Sequence, residues 1–330
     1  MSSLKRRDAF MALAGVATAL ALPARAQKPG MPVIGILYGA SSEEWPNRLA
    51  AFRRGLAEAG YAEGRNVEID ARLFEGQFER LPETVSEFVR RPVAVIVATG
   101  GPQVALAATT ATTQIPIVIT FGGDPVKSGL VASLNRPGGN VTGVTILTVE
   151  LAAKLLDVFH ELLPRANAVA LLVNPGNPVA GAHAKATQDA ARALGLQLQV
   201  LKAGTAREID SAFAALADAR AAGLLVAADP FFEIRRGQLI ALAKRQRTPT
   251  FYFTRDFVTL GGLASYGANF DDAVRAAGVY TGRILKGAKP GDLPVLEPAK
   301  FELVINARTA KALDLAIPQS LRLRADEIIQ

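Results

Sequence analysis

Val93-Ala94-Val95-Ile96-Val97-Ala98 runs apolar without interruption and stops at Thr99-Gly100-Gly101. Pro102–Thr113 follows as an Ala- and Thr-rich helical stretch with its proline in the first turn. A second apolar run, Ile115–Ile119, then ends at Thr120-Phe121-Gly122-Gly123-Asp124. Apolar runs that do not alternate read as strands buried on both faces. Strand, helix and strand at this spacing make a parallel βαβ unit with a right-handed crossover.

The same grammar extends in both directions. Pro32–Leu37 ends at Tyr38-Gly39-Ala40-Ser41, and Ala168–Val173 ends at Asn174-Pro175-Gly176-Asn177. Leu224–Ala228 ends at Asp229-Pro230, and Thr250–Phe253 at Thr254-Arg255-Asp256. Helical patterns at 46–59, 81–91, 149–163, 179–194, 206–219, 234–247 and 271–286 separate the strands, with further strands at 67–72, 143–147, 197–201, 261–267 and 301–305. The pattern predicts an α/β protein of two Rossmann-like lobes with parallel sheets. Lobe 1 would comprise 31–147 and 254–290, and lobe 2 would comprise 148–253 and 291–330.

Ligands of such sheets bind just outside the carboxyl ends of the strands, so the polar tips are the candidate site. Ser41, Thr99, Asn174, Asn177 and Asp229 are small donors or acceptors at those ends; each could equally cap the helix that follows. Together they favour a polar ligand held between lobes. The amides of Gly100 and Gly101 suit an anionic group, while Asp124 or Asp229 could pair with an ammonium. Tyr266 and its aromatic neighbours near the tips, Tyr38 and Phe231 among them, could wall an apolar or planar ligand.

Composition narrows the chemistry. The chain has 330 residues, half of them hydrophobic, and no cysteine. That removes disulfides, thiolate metal sites and a Cys nucleophile. The two histidines, His160 and His183, are far apart, no G-x-S-x-G or H-E-x-x-H occurs, and no metal or other cofactor is expected. Gly122–Ser128 lacks the phosphate-loop spacing. An enzyme built on Asp124 and Asp229 would need both carboxylates to flank a bond in one cleft.

Residues 1–26 read as a secretory leader: Lys5-Arg6-Arg7, the apolar Ala9–Leu22, and Ala24-Arg25-Ala26 before Gln27. Cleavage is expected after Ala26; Sec and twin-arginine export both fit. With no cysteine to carry a lipid, the mature protein is expected in the periplasm and not as a lipoprotein. Lys5, Arg6, Arg7 and Arg25 against Asp8 account for three of the seven net positive charges, leaving +4. The remaining basic residues are scattered, which argues against a nucleic-acid partner.

Five blocks carry a family resemblance: Gly55–Tyr61, Asp124–Leu134, Arg136–Gly143, Gly261–Tyr266 and Gly282–Gly287. With them the chain resembles the ABC-transporter substrate-binding proteins of the type I periplasmic binding fold, a family that includes tryptophan-binding proteins. The resemblance implies a hinge of three crossovers and a small ligand, an amino acid or an aromatic or other organic acid, caught by closure. It implies delivery to an inner-membrane permease and its ATPase by a non-catalytic monomer, or presentation to a receptor kinase as the alternative. By position it implies ligand contacts from Ser41, Thr99, Gly100 and Asp124 in one lobe and from Asn177 and Asp229 in the other.

Overall fold

The computed structural model describes residues 30–218, 221–298 and 300–330. The leader expected at 1–26 lies outside the described residues. The first sheet is built from β1 (Val33–Tyr38), β2 (Glu68–Leu73), β3 (Val95–Thr99), β4 (Ile117–Phe121) and β5 (Val141–Thr145), in the order β2-β1-β3-β4-β5. Every pairing in it is parallel. All five residues of β3 are buried, as an uninterrupted apolar run requires. One face of the sheet is covered by α1 (Trp45–Glu58) and α10 (Phe270–Leu285), through Phe52, Leu56, Ala277 and Tyr280. The other is covered by α2 (Leu81–Arg90) and α3 (Pro102–Ala111), through Phe88, Val104 and Ala108.

The second sheet contains β6 (Ala168–Val173), β7 (Gln197–Lys202), β8 (Leu224–Val226), β9 (Thr250–Tyr252), β10 (Ala264–Ala268), β11 (Phe301–Asn306) and β12 (Glu327–Ile329). Its order is β12-β11-β10-β9-β8-β6-β7. Among the described residues only β10 and β11 pair antiparallel. α4 (Leu151–Leu162), α5 (Ala180–Ala193), α11 (Ala307–Ala312) and α12 (Gln319–Arg324) serve one face, where Phe159 and Leu321 are fully buried. α6 (Ala206–Asp218), α7 (Pro230–Ile234), α8 (Arg236–Arg245) and α9 (Arg255–Thr259) serve the other, with Phe213, Phe232 and Phe257.

The lobe boundaries differ from the pattern-based ones. Ala264 and Ser265 of β10 register with Phe251 and Tyr252 of β9, so the chain stays in the second lobe through 268. It crosses back only at Asn269, into α10. There the helix backbones meet: a Cβ on Gly278 would lie 2.3 Å from the Phe52 carbonyl oxygen, so only glycine permits this approach to α1. Residues after 290 remain with the first lobe as well. Tyr280 donates to the Pro294 carbonyl at 2.7 Å, and Leu296 bridges Val144. The third crossing therefore falls between Leu296 and Phe301. Polar tips and helical periodicity do not encode which sheet a strand joins; cross-strand pairing decides it.

Candidate functional site

In both lobes the strand order reverses beside the first strand: at β1 and β3 in one sheet, at β6 and β8 in the other. Such switch points open a crevice at the carboxyl ends. The two crevices face each other and enclose one cavity. Its empty volume is about 580 Å³, counting the space at its mouth. Thr99, Gly100 and Gly101 line it from the first lobe, and Asp229, Pro230 and Glu233 from the second. Apolar walls come from Tyr38, Phe253, Phe270, Ile146 and Val179.

The lobes approach closely at Gly101. This residue has φ +142°, and a Cβ there would sit 2.8 Å from Cγ of Pro230. It precedes α3, whose N-terminus has no side-chain cap. Among the described residues no backbone acceptor takes the Gly100 or Gly101 N–H. These amides and the dipole of α3 present positive potential to the cavity. Beside them, Thr99 Oγ1 shares a hydrogen bond of 2.5 Å with Thr120 Oγ1, which fixes both hydroxyls.

Asp229 is a helix cap and a cavity wall at once. Its Oδ1 accepts the Phe231 N–H at 2.7 Å and the Asn174 amide at 3.1 Å, and its Oδ2 accepts the Asn177 amide at 2.7 Å. Burial pushes its carboxyl above the usual carboxylate range, and these donors pull against that shift. Asn174 and Asn177 thus hold Asp229 in place. Asn177 Nδ2 also donates to the Ala228 carbonyl at 3.3 Å.

A charge cluster spans the two lobes at the cavity edge. Arg48 of α1 donates to Asp271 of α10 at 2.7 Å and to Asp256 of α9 at 2.8 Å. It lies 3.7 Å from Glu233 and 4.0 Å from Glu44, with its guanidinium over the Phe270 ring. From the second lobe, Arg236 reaches back to Glu43 at 2.7 Å and Glu44 at 2.9 Å. Burial opposes the charge of Arg48, but Glu233, Asp256 and Asp271 raise its pKa and keep it protonated. Burial pushes Glu233 up to about 7; Arg48 opposes the shift, and Asp256 and Glu44 reinforce it. Gln103 Nε2 adds a cross-lobe bond to the Gly176 carbonyl at 3.2 Å. Together these contacts hold the cleft closed.

The remaining expected residues lie elsewhere. Ser41 is buried and accepts the Glu43 N–H at 3.3 Å, outside the lining set. Asp124 is absent from the wall as well. Its Oδ1 accepts the amides of Val126 and Lys127 at 2.9 and 3.1 Å, closing a turn. These bonds and Lys127 lower its pKa against the desolvation of burial. Asp124 therefore does not share this cavity with Asp229. Tyr266 lines an adjoining, almost wholly apolar recess with Leu155 and His183. Burial lowers the His183 pKa to about 4, so the ring is neutral at pH 7.

Arg48 and Glu233 carry no sequence signature. Arg48 sits in an ordinary amphipathic helix, and Glu233 falls in what reads as the approach to a helix beginning at 234. Helix in fact begins at Pro230, with Asp229 as its cap. That cap was the one available signal, since it places residue 233 one turn on, on the same side as Asp229.

Among known proteins, the profile of the family described as "ABC transporter substrate binding protein" matches residues 34–329. A tyrosine-binding protein of Clostridioides difficile is 29% identical over 278 residues, covering 84% of this chain and 78% of that protein. A Streptococcus pneumoniae ABC domain solved in complex with L-Trp superposes with a TM-score of 0.84 at 25% identity, over 90% of this chain and 99% of that one. A Clostridium difficile substrate-binding protein, solved ligand-free and open, gives 0.67 at 24% identity, over 91% and 99%. Two switch-point crevices closed on one cavity, in a fold matched end to end by this profile, lead to one conclusion: the chain belongs to the ABC transporter substrate-binding protein family and has the type I periplasmic binding fold.

Proposed function

We propose that this protein is the periplasmic solute-binding component of an ABC importer and that its ligand is an L-amino acid with an apolar or aromatic side chain. The observation that carries this reading is the polarity of the closed cavity. The first lobe offers the amides of Gly100 and Gly101 at the start of α3, which meet no backbone acceptor among the described residues and suit a carboxylate. The second lobe faces them with the carboxylate of Glu233, suited to an ammonium, beside Asp229, whose oxygens hold Asn174, Asn177 and the start of α7. Tyr38, Phe253 and Phe270 wall other parts of the same cavity, suited to an apolar or aromatic side chain. The tyrosine-binding relative and the L-Trp complex agree with this chemistry.

Ligand would bind the open form, and closure would bury it between the lobes, with delivery to a membrane permease and its ATPase. The test is a thermal-shift and calorimetric screen of the twenty L-amino acids beside aromatic carboxylic acids. An apolar or aromatic L-amino acid should raise the melting temperature at micromolar concentration. If only the acids without an amino group do so, or if nothing does, the ligand class is wrong.

A further inference from the structure

Asp229 is the acidic residue whose position marks it as an ammonium partner, yet its oxygens are already engaged. Oδ1 takes two donors and Oδ2 takes one. Glu233 differs in every respect. It lines the cavity, only 8% of its surface is exposed, and no side-chain hydrogen bond reaches its carboxylate among the described residues. The nearest cation, Arg48, stands 3.7 Å away, and its two hydrogen bonds go to Asp256 and Asp271.

A buried ionised carboxylate without hydrogen bonds is costly and is relieved by a proton or by a cation. The groups around it do not supply that cation in full. Arg48 and Arg236 face Glu233, Glu43, Glu44, Asp256 and Asp271; Glu43 and Asp271 reach solvent, so two guanidiniums, with Arg236 Nη1 still unpartnered among the described residues, answer the three more buried carboxylates, with Tyr38 and Asp229 as further neighbours. Only the closed cleft assembles this excess, because Arg48 and Glu44 belong to the first lobe and Glu233, Asp256 and Arg236 to the second.

We propose that Glu233 reads the charge of the ligand: the cleft closes on a ligand that brings a primary ammonium to Glu233, and closes on one that lacks it only by taking up a proton there. This rests on the amino-acid reading above and names the residue that enforces it. Asp229, held by three donors, acts as a positioning residue that starts α7 and aims Glu233, which lies one turn later.

The test uses pairs of ligands that differ only in the amino group: L-tyrosine with 3-(4-hydroxyphenyl)propionate, and L-tryptophan with indole-3-propionate. Each is titrated calorimetrically near neutral pH in two buffers of different ionisation enthalpy, which counts protons. Wild type should prefer the amino member by at least about 30-fold, the loss expected when one partner of a buried charge pair is removed. It should take up protons only with the deamino member. In Glu233→Gln the preference should fall to a few-fold and the proton uptake should vanish; Glu233→Asp, which keeps the charge, should retain a preference, and so should Asp229→Asn.

Melting curves of the ligand-free variants establish that they fold. An undiminished preference in folded Glu233→Gln, or its loss in Asp229→Asn alone, overturns the proposal. Equal binding of both members by wild type also overturns it but leaves the solute-binding role standing. If no member binds, the same comparison is made with L-leucine and 4-methylpentanoate, and binding of none of the six removes the amino-acid reading, and the proposal with it.

Discussion

Replacing Arg48 by methionine tests the charge cluster most directly. The substitution keeps an unbranched apolar stem in α1 and removes the guanidinium. It deletes two charge-assisted hydrogen bonds, of 2.7 Å to Asp271 and 2.8 Å to Asp256, and leaves Glu233 and Glu44 beside them without that cation. Breaking a buried ion pair from one side costs about 3–5 kcal/mol. Asp256 and Asp271 keep 22% and 39% of their side-chain surface exposed, which lets water take over part of the solvation and places the cost near the lower bound, about 3 kcal/mol.

Urea unfolding of wild type, Arg48→Met, Asp256→Asn and the double variant measures both the total and the coupling. The single Arg48 variant should lose about 3 kcal/mol, and the cycle should show a coupling of about 1–2 kcal/mol. Because Asp256 lies in the second lobe, much of this loss should also appear as weaker ligand binding. A total loss below about 1 kcal/mol, with additive single variants, would mean that Arg48 is solvated in solution and that the cross-lobe cluster does not hold the cleft shut.

Other outcomes follow from the same geometry. Gly101→Ala places a methyl 2.8 Å from Pro230 at φ +142°, so closure should be obstructed at a cost of about 1–3 kcal/mol in ligand affinity. Its ligand-free melting temperature should change less than its affinity, and normal affinity would show that the lobes do not meet there. Glu233 titrates at about 7 in the folded chain against an ordinary 4.5. The folded form therefore holds the extra proton between these values, and the penalty of the buried charge is fully present above about pH 7 and fades as pH falls to 4.5. Ligand-free Glu233→Gln should accordingly be more stable than wild type above pH 7, by up to about 3 kcal/mol, with the gap closing toward pH 4.5. A gap independent of pH would refute the assignment of that titration to Glu233.

Much of the architecture is legible from residues alone. Uninterrupted apolar runs such as 93–98 and 168–173 can be satisfied only as strands covered on both sides, and their spacing by helices makes the sheets parallel. Less regular pieces escape that reading. β12 is three residues long at a sheet edge, and α9 and α12 are five and six residues, too short for a period to show. Among the site residues, Thr99, Gly100, Gly101 and Asp229 lie on the cavity wall because strand ends at a switch point have nowhere else to face. Asn174 and Asn177 lie one layer behind, spent on Asp229. Asp124 sits at an equally suggestive tip, but the proline that follows it turns the chain, and its carboxylate closes that turn locally.

By itself, then, the sequence determined the alternation of strand and helix, the polar character of the strand ends, and the absence of thiol, paired-histidine and phosphate-loop chemistry. Those properties are local: each follows from a window of a few residues and the solvent that window must avoid or meet. Only the tertiary structure decided that β10 completes the second sheet while α10 returns to the first, and that Arg48 and Glu233, 185 positions apart, share one buried edge of the cleft. Such pairings depend on which surfaces pack together, and the energy of a charge depends on the neighbours and the water that packing leaves it. The same glutamate would be an ordinary solvated carboxylate in an open chain, and closure between two lobes makes it a reader of charge.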